Sequence, residues 1–413
     1  MSLVALSVDT VLPALGAISR DLGIVDDNSR QWIVTALMAG LGVGQLVYGP
    51  LSDRFGRKPM VYLGLFWFAV GSTVSALSQS LETMLVGRVL QGFGAAGPRV
   101  VTTAMVRDRF EGPAMARVMS VVMGVFILVP VLAPSLGQAA LWFVSWRWLF
   151  ALVLALGFAG GAWLAIRQGE TLRTPLPLSP SRLVGAAAEF FRSRVSVAFT
   201  LAGACCYGAM LGYVNTAQQV FQDLYGVGDA FAPWFGGCAL FISGGMLANS
   251  ALVARFGMRR ICLIAVSAQT GWATLFAVAL LARGGEGLSF AWWLAFCCPT
   301  LFLLGLTFGN LSAIALRPLG HIAGTAAALA ASLTTVVSLT IAAVVGLSYD
   351  GSVTPVVVGF LVAGAAAAAL MTAAGADAEA VGDAAAAFRG AGPGAPGPGR
   401  PGGPPRPRSR PTA

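Results

Sequence analysis

Long apolar stretches alternate with short polar stretches along most of the chain. Each apolar stretch holds roughly 20 residues, the length that an α-helix needs to cross the hydrocarbon layer of a membrane. The alternation therefore predicts an all-α integral membrane protein with twelve transmembrane helices. The predicted helices cover residues 3–19, 31–51, 60–78, 82–106, 115–140, 147–167, 195–221, 230–254, 259–282, 290–315, 321–347 and 353–374.

The composition agrees with a membrane location and excludes several other classes of protein. Hydrophobic residues make up 57% of the 413 residues and charged residues only 10%, whereas a soluble protein carries about a quarter charged residues. The six cysteines all lie in apolar stretches and there is one histidine, so we expect neither disulfides nor a metal site. The sequence has no G-x-x-x-x-G-K-[ST] phosphate loop and no catalytic cluster, so we expect neither ATP use nor enzyme activity.

The charged residues predict how the chain is oriented. Basic side chains concentrate in every second polar stretch and in the tail, and the intervening stretches are short and acidic or mixed. Because basic loops stay on the cytoplasmic side of a membrane, both termini are predicted to be cytoplasmic. This bias accounts for the net charge of +9 without nucleic acid as a partner. The tail, residues 375–413, is rich in alanine, glycine and proline and is predicted to be disordered.

A polar linker loop at residues 168–194 divides the predicted helices into six in residues 1–167 and six in residues 195–374. Residues 54–58 (RFGRK) recur as residues 255–260 (RFGMRR), after the second helix of each set. Duplicated halves facing a central site are the architecture of many secondary transporters. The sequence thus predicts two six-helix bundles related by pseudo-twofold symmetry around a central cavity.

Very few charged residues lie within the predicted helices, and each is a candidate functional residue because a charge at membrane depth is costly. Asp9 is the only deeply placed carboxylate, and Pro13 follows it by four residues. A carboxylate poised between burial and a nearby cation can take up a proton from one side and release it to the other, or pair with a cationic substrate. The alternative is a structural ion pair with an arginine of the fourth helix.

The fourth predicted helix carries two arginines. Arg88 and Gln91 are three residues apart and share one helical face. Gly92 and Gly94 allow a neighbouring helix to approach closely. Arg99 lies about three turns beyond Arg88 and faces the same way. It is a candidate cavity residue, with extension toward the cytoplasm as the alternative.

The polar stretch between the second and third predicted helices runs from Gly49 to Lys58 and contains Asp53, Arg54 and Arg57. Gly49 and Gly56 bracket it, which predicts a tight turn where two helix ends meet. The stretch resembles the signature G-x-L-[SA]-D-R-x-G-R-[RK] of major facilitator superfamily transporters, and residues 85–96 resemble the fourth-helix motif of the same superfamily.

Two further motifs narrow this resemblance. Pro134 and Gly137 in the fifth predicted helix match an antiporter motif of the superfamily. The sequence departs from that motif at Val129, Ala133 and Gln138. Pro130 is a second proline there, and two prolines predict a kinked helix. Residues 317–328, together with Asp9 and Pro13, resemble the Bcr/CflA drug-resistance branch.

The resemblance implies a proton-coupled exporter of small, mostly apolar compounds in the bacterial inner membrane. The proton gradient is then the energy source, no cofactor is needed, and the partners are a small-molecule substrate, protons and membrane lipid, with a functional monomer. The resemblance also implies a cytoplasmic charge latch of Asp53, Arg54, Arg57, Lys58 and Asp108. In this latch, Arg57 pairs with Asp108, and Asp53 faces the start of the eleventh helix near residues 320–324.

Side-chain type alone suggests the rest of a binding cavity, and packing in the interior explains the same residues almost as well. Two other functions remain open from the sequence: an uptake symporter, and a transporter-like sensor or scaffold that moves nothing. His321 is expected to cap or pack a loop. The candidate cavity residues are Met119, Met123, Tyr207, Tyr213, Asn215 and Gln218.

Overall fold

A computed structural model describes residues 2–110, 131–172, 180–283 and 289–375, together with the isolated positions 118, 122 and 129. In this part of the chain, ten helical segments are long and apolar enough to cross a membrane. The 29-residue helix Leu81–Arg109 is less apolar than these ten, because two arginines and several glycines interrupt it. Half of the fifth predicted helix lies outside the described residues. The total of twelve and the pseudo-twofold symmetry therefore stay predictions.

The described elements are helical, with short 3-10 turns and one π-helix between the α-helices. The first α-helices are α1 (Leu3–Asp9), α2 (Leu15–Asp21), α3 (Trp32–Phe55), α4 (Arg57–Ala76), α5 (Leu81–Arg109), α6 (Val131–Leu141), α7 (Arg147–Arg167) and α8 (Pro180–Arg192). The remaining ones are α9 (Arg194–Gln218), α10 (Phe231–Phe256), α11 (Met258–Ala282), α12 (Phe290–Gly305), α13 (Phe308–Leu316), α14 (Ala323–Leu347) and α15 (Thr354–Ala373).

The helices before and after the linker pack mainly within their own group. In the N-terminal helix group, α1 to α7, helix α5 packs against α3 and α4, and α4 packs against α7. In the C-terminal helix group, α9 to α15, helix α9 packs against α14 and α15, and α10 packs against α12. Helices α3 and α14 form the main contact between the two groups.

Glycines of α5 let its neighbours approach to backbone contact, as predicted from the sequence. A Cβ on Gly92 would lie 1.8 Å from the carbonyl oxygen of Leu37 on α3. A Cβ on Gly94 would lie 2.1 Å from the amide nitrogen of Phe68 on α4. The prediction for Gly49 is wrong, because Gly49 lies inside α3 and its Cβ would meet nothing within 4 Å.

The predicted loop between the second and third helices is a single residue. Helix α3 continues through Pro50 to Phe55, and α4 begins at Arg57. Gly56 alone makes the turn, with a φ of 101° that favours glycine. The linker also differs from the prediction, because it contains the 13-residue helix α8. The predicted disordered tail lies outside the described residues, except for Gly375.

The first predicted span is broken in its middle. Pro13 has no amide hydrogen, and a 3-10 turn at Leu12–Ala14 separates α1 from α2. The amide of Val11 donates to Val8 at 3.1 Å, so the Ser7 carbonyl has no partner four residues later in its own helix. Helix α6 supports the break, since a Cβ on Gly137 would lie 2.2 Å from the Thr10 carbonyl oxygen.

Candidate functional site

Asp9 is the last residue of α1, immediately before the break in the first span. Its side chain is buried, with 7% of the residue surface exposed. In the described part of the chain, no cation or hydrogen-bond donor contacts its carboxylate. The predicted alternative, a structural ion pair with a span-4 arginine, is therefore not the arrangement found among these residues.

The guanidinium of Arg88 donates its hydrogen bonds to other acceptors, and therefore it does not pair with Asp9. Its Nη1 and Nη2 donate to the Ser7 carbonyl at 3.0 and 3.1 Å, and its Nε donates to the Ile33 carbonyl at 3.0 Å. Its Nη1 also donates to Gln91 Oε1 at 2.7 Å. Arg88 is fully buried and thus fastens the end of α1 to α3 and α5. It acts two residues away from Asp9, through the carbonyl that the break in the span leaves available.

A tyrosine of the C-terminal helix group lies within electrostatic range of Asp9. Tyr207 on α9 lies within electrostatic range of both Asp9 and Arg99. Its ring also contacts Phe308 edge-on, with 6.0 Å between the ring centroids. Arg99 is half-buried. The N-terminal and C-terminal helix groups thus both contribute side chains to the region of the unpaired carboxylate.

The other candidate cavity residues lie in different parts of the structure. Asn215 Nδ2 donates to Thr35 Oγ1 at 3.2 Å and so links the two helix groups. Tyr213 does not line the space between the groups, because its ring is buried against Phe235 at 5.9 Å inside the C-terminal helix group. Gln218 lines a cavity of about 720 Å³ toward one end of the molecule. The predictions for Met119, Met123 and Pro130 fall outside the described residues, and Pro134 is buried in α6.

The charged residues near the α3–α4 turn form a cluster that we call the Arg57 cluster: Ser52, Asp53, Arg57, Asp108, Glu170 and Thr171. Arg57 is buried and donates from Nε to Asp108 Oδ2 at 2.9 Å, the partner predicted from the sequence. It also forms an ion pair with Asp53, four residues earlier. Thr171 of the linker donates to Asp108 at 3.0 Å. Every member lies on α3 to α5 or at the start of the linker, so these contacts join the ends of those helices to the first linker residues.

Glu170 is the charged member of the cluster that the sequence did not predict, and Ser52 and Thr171 were not predicted either. Its carboxylate accepts the amides of Arg57 and Lys58, both at 3.0 Å, at the start of α4. Burial raises the pKa of Glu170, but four amide donors, from Leu172, Lys58, Arg57 and Thr171, outweigh this and lower its pKa overall. The available signal was one acidic residue in a linker whose other charges are mostly basic.

The peripheral members of the predicted latch are held differently. Arg54 stacks on the Phe55 ring at 5.2 Å, and Lys58 Nζ donates to the Ala165 carbonyl at 3.4 Å. The side chain that approaches the start of α14 is that of Arg107. Its Nη2 lies 3.8 Å from the position that a Cβ on Gly324 would occupy. Asp53 instead uses its carboxylate on Arg57.

His321 makes a contact that the sequence did not specify. Its Nε2 lies 2.7 Å from Glu189 Oε1 and joins the turn before α14 to helix α8 of the linker. Among the described residues, no three histidine, cysteine or acidic side chains come together as metal ligands.

Comparison with known proteins places this geometry in a family. The Major Facilitator Superfamily profile matches residues 1–343. The uncharacterized MFS-type transporter YdgK of Bacillus subtilis is 30% identical over 83% of this chain and 85% of its own length. A bicyclomycin resistance protein homolog of Haemophilus influenzae is 28% identical over 63% of this chain and 66% of its own length. The multidrug resistance protein MdtL of Klebsiella pneumoniae is 30% identical over 53% and 55%, respectively.

Solved structures share the fold at lower identity. A peptide transporter POT bound to sulfate superposes with a TM-score of 0.71 at 17% identity, over 92% of this chain and 93% of that chain. A D-xylose–proton symporter superposes with a TM-score of 0.68 at 14% identity, over 90% and 94%, respectively. These relatives are transporters and not enzymes. The chain belongs to the Major Facilitator Superfamily, and its relatives include drug-resistance transporters of the kind that the Bcr/CflA resemblance implied.

Proposed function

We propose that this protein exports small, mostly apolar compounds, cationic or neutral, and that proton entry drives the export. One observation carries the proposal: a buried carboxylate, Asp9, with no described partner, at the break of the first span. The names of the relatives, a bicyclomycin resistance protein homolog and multidrug resistance proteins, support a drug-like substrate. The proton gradient is the energy source, and the protein works as a monomer in the bacterial inner membrane.

The unpaired state of Asp9 explains how it couples the two fluxes. An isolated charge at this depth is costly, so the carboxylate holds either a proton or a cationic group at each stage of the cycle. When the cavity faces outward, a proton binds Asp9 and a cationic substrate is released. When the cavity faces inward, substrate arrival and proton departure are favoured together. Proton entry thereby drives substrate out.

Arg88 positions Asp9 but does not exchange with it. Its hydrogen bonds to the Ser7 carbonyl hold the end of α1 against α3 and α5, which fixes where the Asp9 side chain begins. Tyr207 supplies a phenol from the C-terminal helix group to the space near Asp9 and Arg99, which both lie within its electrostatic range. A substrate in that space displaces water around Asp9, and this strengthens every charge interaction there.

The basic end of the molecule, with the Arg57 cluster, faces the cytoplasm in this proposal, and so do both termini. The basis is the concentration of arginine and lysine in alternate loops. Everted vesicles then present this end to the external medium. An exporter accumulates its substrate inside such vesicles.

The test is proton flux in everted vesicles of the wild type and of Asp9→Asn, across a panel of cationic and neutral antibiotics. We expect a substrate-triggered proton signal in the wild type and none in Asp9→Asn. Asp350→Asn is the matched control, because Asp350 is exposed and accepts hydrogen bonds from Ser352 in its own turn. A full signal in Asp9→Asn would place coupling elsewhere, and substrate efflux from everted vesicles with the proton flow would indicate uptake.

A further inference from the structure

A second polar cluster joins the two helix groups at the end of the molecule away from the Arg57 cluster. We call it the Gln219 cluster: Asn28, Arg30 and Gln31 before α3, with Gln219 and Asp223 after α9. Arg30 forms an ion pair with Asp223. Gln31 Nε2 donates to Gln219 Oε1 at 2.6 Å, and Gln219 Nε2 donates to Asn28 Oδ1 at 3.0 Å. Each of these contacts crosses from the N-terminal to the C-terminal helix group.

Three members of the cluster are buried, whereas the Asp223 side chain is 48% exposed, and the contacts continue to α14. Arg30, Gln31 and Gln219 expose only 5%, 4% and 1% of their surface. Asn28 Nδ2 donates to the Tyr349 carbonyl at 2.9 Å, just beyond α14. Helix α14 makes room for Gln31 through Gly346, where a Cβ would lie 1.7 Å from Gln31 Oε1. These amides therefore join the start of α3, the end of α9 and the end of α14.

The C-terminal members of the cluster lie on the one π-helix of the described chain. Helix α9 passes at Gln219 into a π-helix that ends at Leu224, with the Tyr225 amide donating to Val220 at 3.1 Å. Gln219 and Asp223 both face the N-terminal helix group from this segment. A π turn holds one residue more than an α turn and occurs frequently at functional sites. Returning it to α geometry would turn these side chains by roughly 100° and withdraw them from Arg30 and Gln31.

A cavity of about 720 Å³ lies beside the cluster and reaches toward the proton site. Its lining includes Arg30 and Asp223 of the cluster and extends to Pro13, one turn beyond Asp9. Gln138 of α6 donates to Asp229 at 3.1 Å at the same cavity, which adds another link between the two helix groups. The cavity therefore brings the Gln219 cluster and the broken part of the first span to the same space.

We propose that the Gln219 cluster is the outer gate of the transport cycle, closed in this structure, and that substrate leaves only when its inter-group contacts separate. The inference rests on the proposed export function and adds its exit path. Arg30, Gln31, Gln219 and Asp223 are positioning residues, because they hold the two groups together and contact no reacting atom. The π-helix at Gln219–Leu224 is the element whose rearrangement releases them.

Reversible cross-linking tests the gate. Gln31→Cys and Gln219→Cys are introduced together, treated with a short bis-methanethiosulfonate linker, and assayed for substrate accumulation in everted vesicles before and after reduction. The matched control is Asp21→Cys with Arg147→Cys, because the Asp21–Arg147 ion pair of 3.1 Å lies within the N-terminal helix group. The wild type receives the same reagent, since five of its six cysteines are buried and Cys298 is half-buried.

If the Gln219 cluster is a gate, linking Gln31→Cys to Gln219→Cys should lower substrate accumulation at least tenfold, and reduction of the linker should restore it. The linked control pair should keep its transport rate within about twofold of its reduced form. Full transport by the linked gate pair would overturn the proposal, and so would an equal loss in the control pair. A wild type that accumulates no compound contradicts the proposed function itself, which separates that failure from failure of the gate.

Discussion

The two polar clusters lie at opposite ends of the molecule and make different kinds of contact. The Arg57 cluster is an arginine between two carboxylates, and its members lie in the N-terminal helix group and the first residues of the linker. The Gln219 cluster is rich in amides, and its contacts cross from one helix group to the other. Only contacts of the second kind must break when the two groups move apart. The residues of the superfamily signature thus stabilise one helix group, whereas the residues of the Gln219 cluster, which connect the two groups, belong to no recognised sequence motif.

The largest effect should come from reversing charges in the Gln219 cluster. Arg30→Asp or Asp223→Arg places like charges together between a buried position 30 and a position 223 whose side chain is 48% exposed, which favours separation of the gate. We expect each single change to lower turnover tenfold or more, with a smaller change in KM. The double change restores the pair and should recover most of the turnover. No recovery in the double variant, measured beside its surface expression, would contradict a pairing role.

A smaller effect on transport is expected at the Arg57 cluster. Arg57→Met leaves Asp53 and Asp108 without their shared cation, which should cost about 1–3 kcal/mol of stability. Turnover should stay within a few-fold of the wild type, because the lost contacts lie within one helix group. Thermal unfolding in detergent and vesicle transport measure the two effects. Arg54→Met is the control, since Arg54 only stacks on Phe55.

A loss of turnover in Arg57→Met as complete as in the Arg30 variants would break the comparison. It would mean that the Arg57 cluster also acts between the groups. Arg107, near Gly324 on α14, would then be the contact to change next.

The smallest effect should be a change in how stability depends on pH at Glu170. Its pKa is lowered in the folded protein, so its contribution is present above the ordinary value of 4.5 and is lost as the pH falls through the lowered pKa. Glu170→Gln should lower the Tm by about 1–3 °C at neutral pH, as expected for a lost helix cap. The Tm values of the two proteins should converge under acid conditions. A constant difference at all pH values would contradict the capping role of the carboxylate.

Local patterns in the sequence predicted what depends on neighbouring residues. Apolar stretches located most of the helices, Gly92 and Gly94 predicted the close approach of α5, and the motif identified Asp108 as the partner of Arg57. Gly49 was misassigned because Pro50 does not end α3, and the turn needs only Gly56. A glycine pair does not reveal which of its members carries the turn.

Contacts between distant segments were not available from such patterns. Gln31 and Gln219 are 188 positions apart, and no spacing rule links them. The acceptors of Arg88 depend on the break at Leu12–Ala14, which frees the Ser7 carbonyl. Tyr213 looked like a cavity residue, but the packing of α9 turns it toward Phe235. Each of these outcomes depends on how a helix is rotated, and the apolar periodicity of a membrane helix constrains this weakly.

The central claim is that Asp9 couples proton flow to substrate movement, and one paired measurement on Asp9→Asn tests it most directly. Uphill accumulation driven by a proton gradient and downhill exchange of a neutral substrate are measured in the same proteoliposomes. The account predicts that accumulation is lost while exchange continues near the wild-type rate, because the cavity and both clusters are intact. Retained accumulation would contradict the coupling role, and loss of both activities would show that Asp9 supports the structure rather than the coupling.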